Sequence, residues 1–307
     1  MTKNRKTGEK RCMEISLNAY GKINLGLDVV RRREDGYHEV KMVMQTVDLY
    51  DRLVFRDIDE DQIIIESDSD ELPDVENNII YKSYMLLKKA YGISRGLHVN
   101  VEKHIPVAAG MAGGSADAAA TLVAVNSIFE LGLSEQQLME YGVRIGADVP
   151  YCIMQGTALA EGIGEVLNPL PSMPECWILI VKPNIGVSTK WVYENLHVDT
   201  LDRNQHPDID ILVDALKEGD VCAVAEHMGN ILETVTVRRH PEIESIRRMM
   251  EDHGSLGARM SGSGPTVFGV YDNDSKDTAQ KLADELAQSE LIQAVHVVRP
   301  YNRYGKR

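Results

Sequence analysis

Beyond residue 14 the apolar positions alternate with polar ones. Ile15, Leu17 and Ala19 fall on one side, and Ile23, Leu25, Leu27 and Val29 resume the pattern past Gly21, as in strands with one buried face. Asp35-Gly36 supplies a turn into Val40, Met42, Met44 and Thr46, which predicts an antiparallel hairpin with Tyr37 and His38 at its tip. Further strands are expected over 53–56 and 62–66. The acidic run Asp68, Asp70, Glu71, Asp74 reads as a solvated loop, after which Asn77 or Asn78 caps a helix carrying Ile80, Tyr84 and Leu87. Leu97, Val99 and Val101 then alternate as another strand.

That strand delivers the chain to 106–126, the stretch around which the rest is organised. Gly110, Gly113 and Gly114 let the backbone turn tightly and bring its N-H groups against another molecule. From Ser115 on, Ala118, Leu122, Val125 and Phe129 mark one face of an amphipathic helix. A glycine loop feeding a helix N-terminus is an anion cradle, and the expected anion is a phosphate. It is neither a Walker A sequence nor a Gly-x-Gly-x-x-Gly fingerprint.

Gly132 ends that helix, and Ser134 with Gln137 forms a capping box for the next, whose inner face is Leu138, Tyr141 and Ile145. Gly146 stops it. A Gly- and Pro-rich passage over 152–170 marks a domain boundary, giving a disordered basic tail over 1–12, an N-terminal domain over 13–165 and a C-terminal domain over 166–307. The second half is expected to hold strands at 177–181, 257–260, 266–271 and 294–298. Helices are expected at 210–217, 222–232 and 241–252, the last with Pro241 in its first turn, and around Ala279, Leu282 and Leu286. Strands interleaved with helices indicate α+β architecture in both halves.

Among 307 residues, 47 acidic and 33 basic side chains leave a net charge of -14, which argues against nucleic-acid or anionic-membrane partners. Any anionic ligand must therefore be held by local dipoles and a few placed cations. Cys12, Cys152, Cys176 and Cys222 are scattered without metal-ligand or disulfide spacing, and no apolar run reaches membrane-span length. These features describe a cytoplasmic protein.

Three further stretches carry candidate chemistry. Lys22 and Asn24 sit in an otherwise apolar alternating strand, where Lys22 is either a paired buried cation or a residue of the solvent face. Asp148 follows a helix end, as a turn former or as a placed carboxylate. A second glycine-rich loop, 257–266, is either a flexible turn or, paired with the first, the other wall of a ligand cleft.

Together these motifs resemble those of the galactokinase, homoserine kinase, mevalonate kinase and phosphomevalonate kinase (GHMP) superfamily, in the expected order from about 15 to 298. Residues 19–29, 35–39, 113–120, 146–150 and 156–160 are similar more narrowly to a branch that phosphorylates a cytidine diphosphate-linked polyol in the non-mevalonate route to isoprenoids. The resemblance implies a two-domain GHMP kinase fold, with an N-terminal domain like ribosomal protein S5 domain 2 and a ferredoxin-like C-terminal domain. It implies ATP along Pro106, Ala108, Ala109, Gly110, Met111, Ala112, Gly113, Gly114, Ser115 and Ala116, with magnesium brought by the nucleotide. Asp148 takes the position of the base and Lys22 that of its cationic partner; Asn24 lies near the acceptor polyol. Tyr37 and His38 correspond to the cytosine-recognising residues, Ser188 and Thr189 to a segment near the cytidine, and Ser261, Gly262, Ser263 and Gly264 to the loop closing the cleft.

Metal ligands are not assigned by the resemblance, since only Ser115 has an obvious match, and residues 161–165 depart from the branch's pattern. Met111 stands where Leu is frequent, a volume-conserving change. The partners implied are ATP and a small-molecule acceptor, for a monomer or weak homodimer. A homoserine- or mevalonate-type kinase would have no need of Tyr37 and His38, and a non-catalytic nucleotide-binding regulator would need neither Lys22 nor Asp148.

Overall fold

A computed structural model of the chain describes residues 13–303. The basic tail expected over 1–12 lies outside the described residues. What alternation suggests as two strands is one, β1 (Glu14–Arg32), paired antiparallel along its length with β2 (His38–Ile58). The pairing shifts between Tyr20 and Lys22 and again between Asn24 and Gly26, so irregularities bracket Lys22 and Asn24. Bulges of this kind re-aim side chains.

The first half continues with β3 (Ile63–Ser67), α1 (Ile79–Tyr91), β4 (Gly96–Glu102), α2 (Gly113–Ile128), α3 (Glu135–Val143), α4 (Val149–Met154), β5 (Thr157–Glu161) and β6 (Val166–Pro169). Asn78 caps α1, accepting from the Ile80 N-H, and the Ser134–Gln137 capping box opens α3. The second half holds β7 (Trp177–Pro183), α5 (Thr189–Glu194), α6 (Ile209–Glu218), α7 (Val221–Glu226), β8 (Gly229–Asn230), α8 (Glu233–Arg239), α9 (Pro241–Asp252), β9 (Gly257–Met260), β10 (Val267–Tyr271), α10 (Lys276–Leu286) and β11 (Ile292–Val298). The result is α+β, with two sheets. One has the order β3-β4-β2-β1-β8 with the β5–β6 hairpin attached through β2, and the other the order β11-β7-β10-β9.

Two expectations change. The helix α2 is buried on nearly every side, through Ala116, Ala118, Ala119, Leu122, Ala124 and Val125, rather than along one stripe. Its alanines let it lie close against β1 and α1, and large side chains such as Leu122, Leu87 and Leu97 fill the space around it. Each such buried leucine is worth roughly 1.5–3 kcal/mol. The single helix expected over 222–232 is instead α7 and then β8, which pairs in parallel with β1 through Gly26 and Leu27, and the next helix, α8, begins only at Glu233.

The first sheet thus extends past residue 165 through β6 and receives β8 from the second half. A C-terminal segment ties the halves again: the Tyr301 N-H donates to the Thr46 carbonyl at 2.8 Å, and the Tyr301 ring stacks on Tyr20 at 4.1 Å.

Candidate active site

The bulged stretch of β1 turns Lys22 and Asn24 inward, where they are 4% and 1% exposed. An ammonium in such a place costs several kcal/mol unless oxygens surround it. Lys22 Nζ donates to Asn24 Oδ1 at 2.7 Å and to the Gly110 carbonyl at 3.2 Å, and lies 3.9 Å from Asp148 Oδ2. Of the alternatives that alternation leaves open, Lys22 is the buried, paired cation. Asp148 is the residue from which α4 starts, and its side chain makes no capping bond, so the carboxylate is left to the cavity beside Lys22.

The glycine loop bends through left-handed backbone at Ala108, Gly110 and Ala112 before α2 begins. Ala112 brings no side-chain acceptor to that helix end, so the first N-H groups of α2 stay available to an anion. Gly110 has φ +73, and a Cβ there would be driven into the Ser261 carbonyl oxygen, so the position requires glycine. From the other side Ser261 Oγ donates to the Gly110 carbonyl at 3.1 Å. That one carbonyl oxygen accepts from both the buried lysine and the second glycine-rich loop, which is the cleft wall rather than a free turn.

Two hollows meet at this loop. The larger, about 760 Å³, is bordered by Lys22, Asn24, Asp148, Tyr37, His38, Tyr193 and Thr189, with Gly262 and Ser263 on the far wall. The smaller, about 350 Å³, runs along Pro106, Ala108, Ala109, Gly113 and Gly114 toward Lys103 and Asp117. Gly110, Ala112 and Ser115 border both. On the wall of the larger hollow the His38 and Tyr193 rings meet, centroids 5.1 Å apart and tilted by 39°, and Tyr37 is an exposed ring at the rim. Burial, then the charge of Arg32, lowers the His38 pKa, favouring a neutral imidazole. The Tyr193 hydroxyl is pushed up by burial and by the Asp148 charge, so it remains a phenol. Thr189 Oγ1 and Ser263 Oγ, 2.8 Å apart, link α5 to the second glycine loop.

Not every expected residue borders a hollow. Met111 and Ala116 are 1% exposed and packed in the core, Met111 contributing its carbonyl to the Lys22 N-H at 3.0 Å. Ser188 caps α5, accepting from the Trp191 N-H, while Ser261 and Gly264 support the second loop from behind.

Other residues went unnoticed in the sequence. Tyr193, Arg32, Lys190 and Glu194 border the larger hollow, three of them on the short helix α5 that no periodicity announces. Under the smaller hollow, Lys103 Nζ pairs with Asp51 and, at 2.9 Å, with Asp117. One ammonium shared by two buried carboxylates leaves Asp117 under-compensated: burial pushes its pKa up to about 7, against the lowering effect of Lys103. Among the described residues, no three His, Cys, Asp or Glu side chains are grouped to hold a metal ion.

The family of GHMP kinases N terminal domains matches residues 78–156, and that of GHMP kinases C terminal domains matches 212–292. The 4-diphosphocytidyl-2-C-methyl-D-erythritol kinase of Lachnospira eligens is 52% identical over 287 residues, covering 93% of this chain and 99% of the relative. The protein of the same name from Geobacillus kaustophilus is 48% identical, covering 86% and 90%. A crystal structure of 4-(cytidine 5'-diphospho)-2C-methyl-D-erythritol kinase superposes with TM-score 0.78 at 29% identity, covering 94% of this chain and all of that one (100%). Homoserine kinase from Cytophaga hutchinsonii superposes with TM-score 0.76 at 21% identity, covering 98% of each chain, a likeness of fold.

Proposed function

Because the chain belongs to the GHMP kinases, and within them to the 4-diphosphocytidyl-2-C-methyl-D-erythritol kinases, we propose that it moves the γ-phosphoryl group of ATP to the 2-hydroxyl of that polyol, in the non-mevalonate route to isoprenoid precursors. The observation that carries the site assignment is the convergence of Lys22, Asp148 and the Gly110 bend where the two hollows meet. ATP lies in the smaller hollow, its phosphates on the loop amides and the N-terminus of α2. The acceptor lies in the larger. Phosphoryl transfer asks chiefly for in-line positioning and neutralised charge, and both are within reach of this arrangement.

In this reading Asp148 accepts the proton of the attacking hydroxyl, and Lys22 faces the charge gathering on the transferred oxygens. Asn24 orients the polyol. The cytosine rests between Tyr37 and Tyr193, with neutral His38 as its hydrogen-bonding neighbour, and Arg32 and Lys190 offer cations to the diphosphate. A magnesium ion brought by the nucleotide would supply neutralisation of phosphate charge here. Ser115, which borders both hollows, is the protein oxygen best placed to meet it.

The net charge of -14 supports small-molecule partners over nucleic acid, and no helix of the described residues is long and apolar enough to cross a membrane. We read the protein as a cytoplasmic monomer or weak homodimer. A coupled ADP-release assay tests the function, using acceptors with and without the cytidine diphosphate group beside homoserine and mevalonate. Turnover confined to the cytidylated polyol is expected. Turnover of homoserine or mevalonate alone overturns the acceptor, and ATP binding without ADP release to any acceptor points to a regulator.

A further inference from the structure

The short strand β8 touches both sheets, and it does so with different chemistry on each side. Toward the first sheet it pairs through its backbone: Asn230 stands opposite Leu27, and the Ile231 N-H donates to the Leu27 carbonyl at 3.0 Å. Toward the second sheet the contact is made by side chains. β9 is the edge strand of that sheet, and an unpaired edge leaves backbone groups in need of partners. Asn230 Nδ2 donates to the Met260 carbonyl at 2.8 Å and to the Gly262 carbonyl at 2.7 Å. Glu233 Oε1 accepts from the Met260 N-H at 2.7 Å. Asn230 Oδ1 is occupied too, by the Leu232 N-H at 2.9 Å. The side chain is 6% exposed and every hydrogen-bonding atom it has is engaged.

We infer that Asn230 is a positioning residue for phosphoryl transfer, fixing the second glycine loop against the strand that carries Lys22. The two carbonyls it holds flank Ser261, whose hydroxyl donates to the Gly110 carbonyl that Lys22 also reaches. Gly262 lies with its Cα against this junction: a Cβ there would stand 3.3 Å from the Gly110 carbonyl oxygen and 3.6 Å from Asn24 Oδ1. One amide thus spans from β1 through β8 to the wall of the larger hollow, and the Gly110 bend is gripped from both sides only while that amide holds. An asparagine is required because the site presents two acceptors and one donor, which a carboxylate of the same size does not match. The inference rests on the kinase reading of the cleft.

The test compares Asn230→Ala and Asn230→Asp with Glu233→Gln, each assayed well below its melting midpoint, with hydrogen exchange followed in parallel. The expected result is a kcat lower by at least about tenfold for both Asn230 variants, because misplacement of a reacting group costs rate steeply. KM values for ATP and acceptor should stay within about threefold, since the groups that bind them remain. Glu233→Gln keeps an acceptor for Met260 and should retain kcat. Exchange at 261–264 and at 110–112 should rise together in the Asn230 variants while β7 and β10 stay protected.

A lowered melting point with kcat within about twofold of the parent marks Asn230 as mere support and overturns the proposal. An equal loss in Glu233→Gln overturns it as well, by assigning the effect to the strand edge at large, and so does failure of both Asn230 variants to fold. The exchange measurement needs no substrate, so a parent enzyme inert toward the cytidylated polyol would undo the kinase reading while the mechanical link between the loops is still judged.

Discussion

Lys22 and Asp148 stand 3.9 Å apart, one rising from the bulged middle of a long strand and the other from the residue that opens a short helix. The lysine is nearly sealed from solvent and the carboxylate opens on the larger hollow. In the proposed reading a hydroxyl placed there would meet a base whose counter-ion is already in position, beside the glycine bend proposed to hold the phosphates.

Replacing Asp148 with Asn keeps the shape and removes the proposed proton acceptor. Turnover should fall by about 10² to 10⁴-fold, the range for loss of a positioned general base, with nucleotide affinity close to the parent's. Steady-state ADP release together with an ATP-binding titration checks this, and a rate near the parent's would remove Asp148 from the mechanism.

Adding one methyl at Gly110 tests the bend itself. The residue has φ +73 and faces the Ser261 carbonyl, so Gly110→Ala combines left-handed strain with a backbone clash. Stability should drop by at least about 1 to 3 kcal/mol in denaturant titrations, with turnover largely lost. An unperturbed melt would mean that the two loops are not in contact in solution.

In the proposed reading, recognition of the cytosine is separable from catalysis. Tyr37→Ala should weaken the acceptor by about 1–3 kcal/mol, the worth of stacking on a base, and leave ATP binding unchanged. Tyr193→Phe, which keeps the ring that faces His38, should be nearly silent, and Tyr193→Ala should resemble Tyr37→Ala. Acceptor KM values for the three variants decide it. Equal effects on ATP would place these rings elsewhere.

Asp117 gives a pH signature of folding. Burial holds its proton in the folded protein up to about 7, whereas an unfolded chain releases it near about 4. Between those values the folded state binds more protons, so this residue's contribution makes stability decline as pH rises through the interval. Asp117→Asn should flatten that decline. Denaturant midpoints measured at about pH 5 and about pH 8 test it, and an unchanged slope in the variant would exclude Asp117 as its source.

Local signals proved legible where the physics is local. Ser134 with Gln137 announces α3 and Pro241 announces α9, because a cap or a missing N-H acts within one turn. The run around Val224, Ala225, Ile231 and Leu232 fits a helix as well as it fits what forms, and only the distant edge of β1 selects the strand pairing of Gly229 and Asn230. Alternation likewise leaves Lys22 undecided, since the oxygens of Gly110 and Asp148 that make its burial tolerable come from far along the chain. The motifs carrying Lys22, Asp148 and both glycine loops are plain in the sequence. Tyr193 and the Lys103–Asp51–Asp117 cluster are not, because they are defined by what faces them across space.

Gly110, Ala112 and Ser115 belong to two chambers at once, like a party wall between neighbouring rooms. With one chamber proposed for each substrate, both can be held at once on either side of that wall. Initial-rate kinetics should therefore be sequential, with intersecting double-reciprocal plots, and a parallel pattern would overturn the assignment of one chamber to each substrate.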